Sequence, residues 1–159
     1  MTATVDADVL VDAVTRDHDL AGSRHDMGGD IVPALVARDA AYTYDFKKNV
    51  IPGGTDRDKG YWRDVGTLDS YFDAHMDLIS IHPIFNLYNY DWPIYTDYGP
   101  YPPAKFVHGA HGRFGEALNS AVSPGTVISG ARVTNSVIGA NCRVHSYSEL
   151  DQVVMLDNV

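Results

Sequence analysis

The sequence predicts an α/β chain in two parts: helices and short strands arranged around one aromatic octet, then the start of a parallel β-helix. Three observations carry that prediction. Residues 60–67, Gly-Tyr-Trp-Arg-Asp-Val-Gly-Thr, combine aromatic and β-branched side chains with turn-forming glycines, the composition of a short buried strand that hands over to a helix. Residues 83–106 carry Pro83, Pro93, Pro100, Pro102 and Pro103 with five of the ten tyrosines, and show no lasting helical or strand period. Val122, Ile128, Val133, Ile138, Val144, Leu150 and Leu156 then recur at steps of six, five, five, six, six and six, with small or polar residues between them.

Taken in order, the first element is a helix over residues 7–15. Leu10 and Val14 stand four apart with Val11 beside them, and Asp6 or Asp8 can cap it. A helix that short is marginal alone and needs a partner surface. The run Ser23-Arg24-His25-Asp26-Met27-Gly28-Gly29-Asp30 is turn-rich and leads into Ile31, Val32, Leu35 and Val36 at helical spacing, with Asp30 as the cap and Pro33 in the first turn. Gly28-Gly29 ahead of a helix suggests a phosphate cradle, but Asp26 and Asp30 flank the pair and would repel a phosphate. His25 with Asp26 and Asp30 offers metal-ligand chemistry; turn and capping roles explain the same residues more simply.

Tyr42, Tyr44 and Phe46 alternate with smaller or polar residues, which predicts a strand over 41–46 with one buried face. Residues 52–59 mix turn formers with both charge signs, as a mobile surface loop would, and Lys48, Arg57 and Lys59 are the cations there that can touch an anionic ligand. Past the octet, Thr67 can N-cap a helix over 68–79 whose Leu68, Tyr71, Phe72 and Ile79 fall on one side, with Asp69 in its first turn. His75 and Met76 take surface and core roles. The stretch from Pro83 is a strap lying against a surface, since a free linker would be rich in Gly and Ser. Its aromatics serve packing more simply than ring stacking on a ligand. In the final region each short strand turns one apolar side chain inward; with roughly three hexapeptides to a coil, about two coils are visible.

The octet also carries the candidate chemistry. A strand ending at Asp64 sets that carboxylate on the rim where α/β sheets bind ligands, because helix N-termini and loops gather there. Asp64 can then ligate Mg2+ on a substrate phosphate. Alternatively it pairs with Arg63 or a nearby Lys, or accepts bonds from turn amides.

Whole-chain quantities narrow the classes. With 159 residues, of which 45% are hydrophobic, one ordinary domain or two small units can fill a core. A formal charge of −9 argues against a nucleic-acid or membrane-surface binder, whose footprint is basic. Cys142 is the lone cysteine, so no internal disulfide forms, which fits a reducing cytoplasm. Residues 1–10 lack the basic-then-apolar pattern of a signal peptide, and the longest apolar-rich stretch, residues 31–37, is too short to span a bilayer.

With the octet, the preceding His-Asp-Met-Gly-Gly-Asp-Ile-Val-Pro at 25–33, and the later Phe-Asn-Leu-Tyr at 85–88, Trp-Pro-Ile at 92–94 and Pro-Pro-Ala-Lys-Phe-Val at 102–107, the chain closely resembles the second half of bacterial ADP-glucose pyrophosphorylase, or glucose-1-phosphate adenylyltransferase. The most specific piece is Tyr-Trp-Arg-Asp-Val-Gly-Thr at 61–67. The resemblance implies that residues 1–82 are the end of a Rossmann-like nucleotidyltransferase domain, 83–117 a connector and 118–159 the start of a left-handed parallel β-helix. It implies formation of ADP-glucose and pyrophosphate from ATP and glucose 1-phosphate, for glycogen synthesis, with Mg2+ and as an allosteric homotetramer. Asp64 matches one of the family's two metal-binding aspartates; Trp62 and Arg63 would shape the sugar-phosphate side of the cleft. The family's Gly-rich nucleotide loop, its other metal aspartate and its Glu-Lys-Pro run have no counterpart here, and residues 1–6 do not match its Ser-Met-Gly. The expectation is therefore an internal fragment or truncated product, inactive alone.

Two further classes compete. An assembly or regulatory module would use the β-helix and the strap to join full-length subunits. A hexapeptide-repeat acyltransferase would use His108, His111 or His145 as general base, but needs more coils and leaves the octet unexplained.

Overall fold

In the computed structural model, which describes residues 5–97 and 99–159, Asp6 begins the first helix as its charge and position predict. Tyr98 of the strap and residues 1–4, on which part of the Ser-Met-Gly comparison falls, lie outside the described residues. The chain divides into two units, Met1–Phe46 and Lys47–Val159.

In the first unit the Asp6 carboxylate accepts the Asp8 and Val9 amides at 3.0 and 3.3 Å, and α1 (Ala7–His18) runs past the predicted end. Ile31 and Leu35 form the buried apolar core of this unit, and Asp17 of α1 is buried as well. The next helix differs from expectation in how it starts. Asp26, not Asp30, is the cap: its carboxylate takes the Gly29 amide at 2.5 Å and opens a π-turn, Met27–Ile31, that continues into α2 (Val32–Val36) with Pro33 in the first turn. Asp30 instead accepts the Arg24 and Asp26 amides at 3.3 and 3.2 Å. His25 bonds to neither aspartate; its Nδ1 is 2.8 Å from Asp17. The space above Gly29 that a phosphate would need holds the Arg24 guanidinium and the Asp26 carboxylate.

The predicted strand over 41–46 does not form, and Tyr42 and Tyr44 are exposed. The octet likewise forms no strand over residues 61–66, and Trp62 and Val65 are exposed rather than buried. The physical reason is common to both. A strand exists only when a neighbour supplies its ladder, and no strand occurs among described residues 5–97 to do so. Helix signals need no such neighbour. Thr67 caps α3 (Leu68–Leu78) through a full capping box with Ser70, in which the Thr67 hydroxyl takes the Ser70 amide and Ser70 Oγ takes the Thr67 amide, both at 3.1 Å.

In the second unit the loop over 52–59 is tied down rather than free. Arg57 donates to the His82 carbonyl at 2.7 Å, and Asn89 donates to the Pro52 carbonyl at 2.8 Å. The strap rests on the octet through Phe85, whose ring stacks on Tyr61 at 5.1 Å, while Tyr88, Tyr90, Trp92 and Tyr95 stay exposed.

The repeat region is a stack of parallel strands: β1 (Lys105–Val107), β2 (Glu116–Leu118), β3 (Ala121–Val122), β4 (Val127–Ser129), β5 (Arg132–Thr134), β6 (Val137–Ile138), β7 (Arg143–Val144), β8 (Glu149–Asp151) and β9 (Val154–Met155). They form three sheets ordered β1-β4-β7, β2-β5-β8 and β3-β6-β9, the architecture of a β-helix. Three strands per sheet mean three coils rather than two, because β1 precedes the periodic stretch and a loop over 108–115 hides it from the hexapeptide count. Register aligns three columns, Phe106–Ile128–Val144, Ala117–Val133–Leu150 and Val122–Ile138–Met155, all of whose members but the exposed Phe106 pack in the core. Met155, not Leu156, closes the third column; Leu156 is exposed. Ile128, Val133 and Ile138 have no exposed surface, and each contributes about 2 kcal/mol of burial.

Candidate functional site

The candidate site is the octet and what it faces within the second unit. Gly60, at φ 68°, turns the chain out of the preceding loop, and the Tyr61 amide bonds to the Asp58 carbonyl at 2.9 Å. Asp58 in turn holds that loop. The Thr55 amide at 2.6 Å, and then the Thr55 hydroxyl at 3.1 Å, keep its carboxyl below the usual range against the opposing effect of desolvation. The octet is therefore fixed at three points: the Asp58 turn, the Tyr61–Phe85 stack and the Thr67 cap.

Between these points the side chains diverge. Tyr61, Trp62 and Arg63, with Gly60, line an open cleft of about 590 Å3 whose other wall is Asp73, Asp77 and Ile84. Asp64 is not in that lining. Its Oδ1 accepts the Gly66 amide at 3.0 Å, the turn-amide bond that is the alternative to a metal role, and the carboxylate is exposed. One bond leaves the second oxygen and further lone pairs available, which suits a hard cation held by one carboxylate together with phosphate oxygens and water. Among the described residues no three His, Cys, Asp or Glu side chains gather as a metal-binding set.

Asp73 and Asp77 are the residues of this cleft that sequence reasoning missed. Their four-residue spacing put them on one face of α3, but the apolar positions of that helix drew the assignment. Asp77 also accepts the Ile84 amide at 3.3 Å, so it ties the start of the strap to the helix. Arg57 serves structure through His82, and Lys59 lines a smaller cleft with Asn49, Val50 and Asp58. The histidines weighed as an acyltransferase base are engaged or scattered. His108 Nδ1 accepts the Gly115 amide at 3.2 Å and its ring meets Phe114 edge-on, His111 sits in a left-handed turn, and His145 follows β7.

Two family models match separate stretches of the chain. A nucleotidyl transferase family model matches residues 5–81, and a GlmU-like C-terminal hexapeptide model matches residues 102–159. A protein of Frankia casuarinae named glucose-1-phosphate adenylyltransferase is 56% identical over 152 residues, which is 96% of this chain and 37% of that protein. Proteins of the same name from Parafrankia sp. and Bifidobacterium adolescentis are 57% and 52% identical over 152 residues each. The chain thus spans about 37% of the length of these curated relatives. No helix among the described residues is long and apolar enough to cross a membrane.

Proposed function

We propose that this chain, which matches proteins named glucose-1-phosphate adenylyltransferase over nearly its whole length, belongs with them and serves transfer of an adenylyl group from ATP to glucose 1-phosphate, giving ADP-glucose and pyrophosphate for glycogen synthesis. The observation that carries the reading is the match to relatives of that name across nearly the whole chain. On this reading residues 1–82 close the nucleotidyltransferase domain, 83–117 connect and already supply the first strands of the stack, and 118–159 continue the left-handed β-helix. The protein works in the cytoplasm as a homotetramer.

Asp64 is the Mg2+ ligand in this proposal, through the carboxylate oxygen that the Gly66 amide leaves free. Mg2+, when bound, neutralises charge that develops on the transferred phosphoryl group. Trp62 and Arg63 act from the cleft. Arg63 presents a guanidinium fork to the sugar phosphate, and Trp62, 56% exposed, presents a ring face to the sugar. The capping box and the Tyr61–Phe85 stack anchor the backbone on either side of these three residues.

The test is Asp64→Asn in the complete reading frame that encodes this chain, assayed by pyrophosphate release. The reading predicts a loss of about a hundredfold or more, the scale seen when an electrostatic stabiliser is removed. Unchanged turnover would overturn the assignment.

A further inference from the structure

Beyond adenylyl transfer, the first unit carries a constellation that the octet does not use. His25 adopts a left-handed backbone, φ 58°, in which a residue other than glycine is uncommon and persists only when its surroundings over-determine it. They do. Ser23 Oγ accepts the His25 amide at 3.0 Å and donates to Asp17 Oδ1 at 2.7 Å, and Asp17 Oδ2 stands 2.8 Å from His25 Nδ1. Asp17 is buried, while the His25 side chain is 56% exposed. An ionised carboxylate can only accept, so Nδ1 carries the proton of the neutral ring and the Nε2 lone pair is left free. A histidine whose outer nitrogen is free and whose inner N–H is fixed on a carboxylate has the arrangement found around metal-ligating imidazoles.

A second imidazole is adjacent. His18 closes α1, next to Asp17, and is exposed; its ring centroid lies 6.5 Å from that of His25, with 34° between the planes. Two imidazoles sharing one ion at about 2.0–2.1 Å per nitrogen have centroids about 5–6 Å apart, close to the separation seen here. We propose that His18 and His25 form a two-imidazole site for a divalent transition-metal ion of the zinc class, with Asp17 orienting His25 and water completing the coordination. Imidazole nitrogen favours zinc over Mg2+, whose preference is oxygen. The site is therefore chemically separate from the one proposed at Asp64.

The experiment is a calorimetric Zn2+ titration of the untagged chain in excess Mg2+, with imidazole nitrogen shifts followed by NMR. One zinc equivalent should bind ahead of the scattered single histidines, moving the Nε2 resonances of His18 and His25. His18→Gln and His25→Asn, the latter chosen because Asn tolerates the left-handed backbone, should each weaken that equivalent tenfold or more. Asp17→Asn should weaken it by about tenfold, the scale of losing an orienting carboxylate. Far-UV circular dichroism checks that each variant is folded; if His25→Asn is not, the exposed His18→Gln decides. Unchanged affinity in His18→Gln, or shifts confined to other histidines, overturns the proposal.

Discussion

Ser136 is a polar side chain with no exposed surface, and removing its hydroxyl tests how the coils hold to one another. Its Oγ donates to the Thr134 carbonyl at 2.6 Å and accepts the Val153 amide of the next coil at 3.0 Å, while its own amide donates to Ser120 Oγ of the preceding coil at 3.0 Å. In Ser136→Ala the Thr134 carbonyl keeps the Gln152 amide at 3.2 Å, so that acceptor stays satisfied. The Val153 amide loses its acceptor. A buried donor left without a partner costs about 1–3 kcal/mol, and at half-buried Val153 we expect about 2 kcal/mol. Ser120→Ala in turn takes the acceptor from the amide of fully buried Ser136, and should cost a comparable amount, about 1–3 kcal/mol. With a urea slope of about 2 kcal/mol per molar, Ser136→Ala lowers the unfolding midpoint by about 1 M at unchanged slope, measured by far-UV circular dichroism. A shift under about 0.2 M in Ser136→Ala would refute the inter-coil account.

Gly115→Ala should destabilise the stack by about 2–3 kcal/mol in the same assay, because an added Cβ meets the backbone of Ile128 and comes within 2.7 Å of the Val107 carbonyl oxygen, and neither can move alone. Thr67→Ala removes the hydroxyl half of the α3 capping box and should cost about 1 kcal/mol, visible as fraying of α3 in amide exchange; unchanged protection at Ser70 would contradict it. Acid should unfold the chain through Asp17 and Asp151. Hydrogen bonds from Ser23 and then His25 lower the first, those from Thr134 and then Asn135 lower the second, and desolvation opposes both. A folded pKa below the unfolded value gives stability that is complete above about pH 4 and is lost as pH falls through the folded value. Asp17→Asn and Asp151→Asn should each flatten the acid limb of a midpoint-versus-pH curve, and an unaltered limb in both would refute the attribution.

The β-helix was legible because its signal is carried by each residue for itself. Ile128, Val133 and Ile138 point inward whichever coil they occupy, so their recurrence survives in the bare sequence. What stayed hidden was the set of corners between strands. Asn119, Asn135, Asn141 and Asn158 adopt positive φ, Asn141 donates to Asn158 at 3.0 Å, and Asn135 donates to Asp151 at 2.9 Å. Asparagine tolerates that backbone and adds a rung between coils. In the hexapeptide count these residues figured only as small or polar spacers. The extra step from β1 to β4 hid the first coil for a related reason: Lys105 pairs with Val127 across a loop that has no period of its own.

The first 97 residues show the opposite case. The helix caps at Asp6, one of two candidates, and at Thr67 were legible because a cap joins a side chain to amides two or three residues away. The alternating aromatics at 42–46 and 61–65 carry equally clear strand patterns, yet a strand pattern states only which face would be buried, and its ladder belongs to another segment. The site follows the same logic. For Asp64 the turn was legible, since its place before Val65 and Gly66 fixes the turn whose amide it accepts, the bond that stood as the alternative to a metal role. Its supposed strand end was not, because that depended on a sheet. The cleft that gathers Trp62 and Arg63 with Asp73 and Asp77 arises instead from α3 folding back beside the octet. Bonds from Ile84 to Asp77 of that helix, and from Arg57 to His82 just beyond it, lie 7 and 25 residues from their partners in sequence. Chemistry that rests on neighbours in sequence can be read from the chain; chemistry that rests on such distant bonds becomes visible only once they are formed.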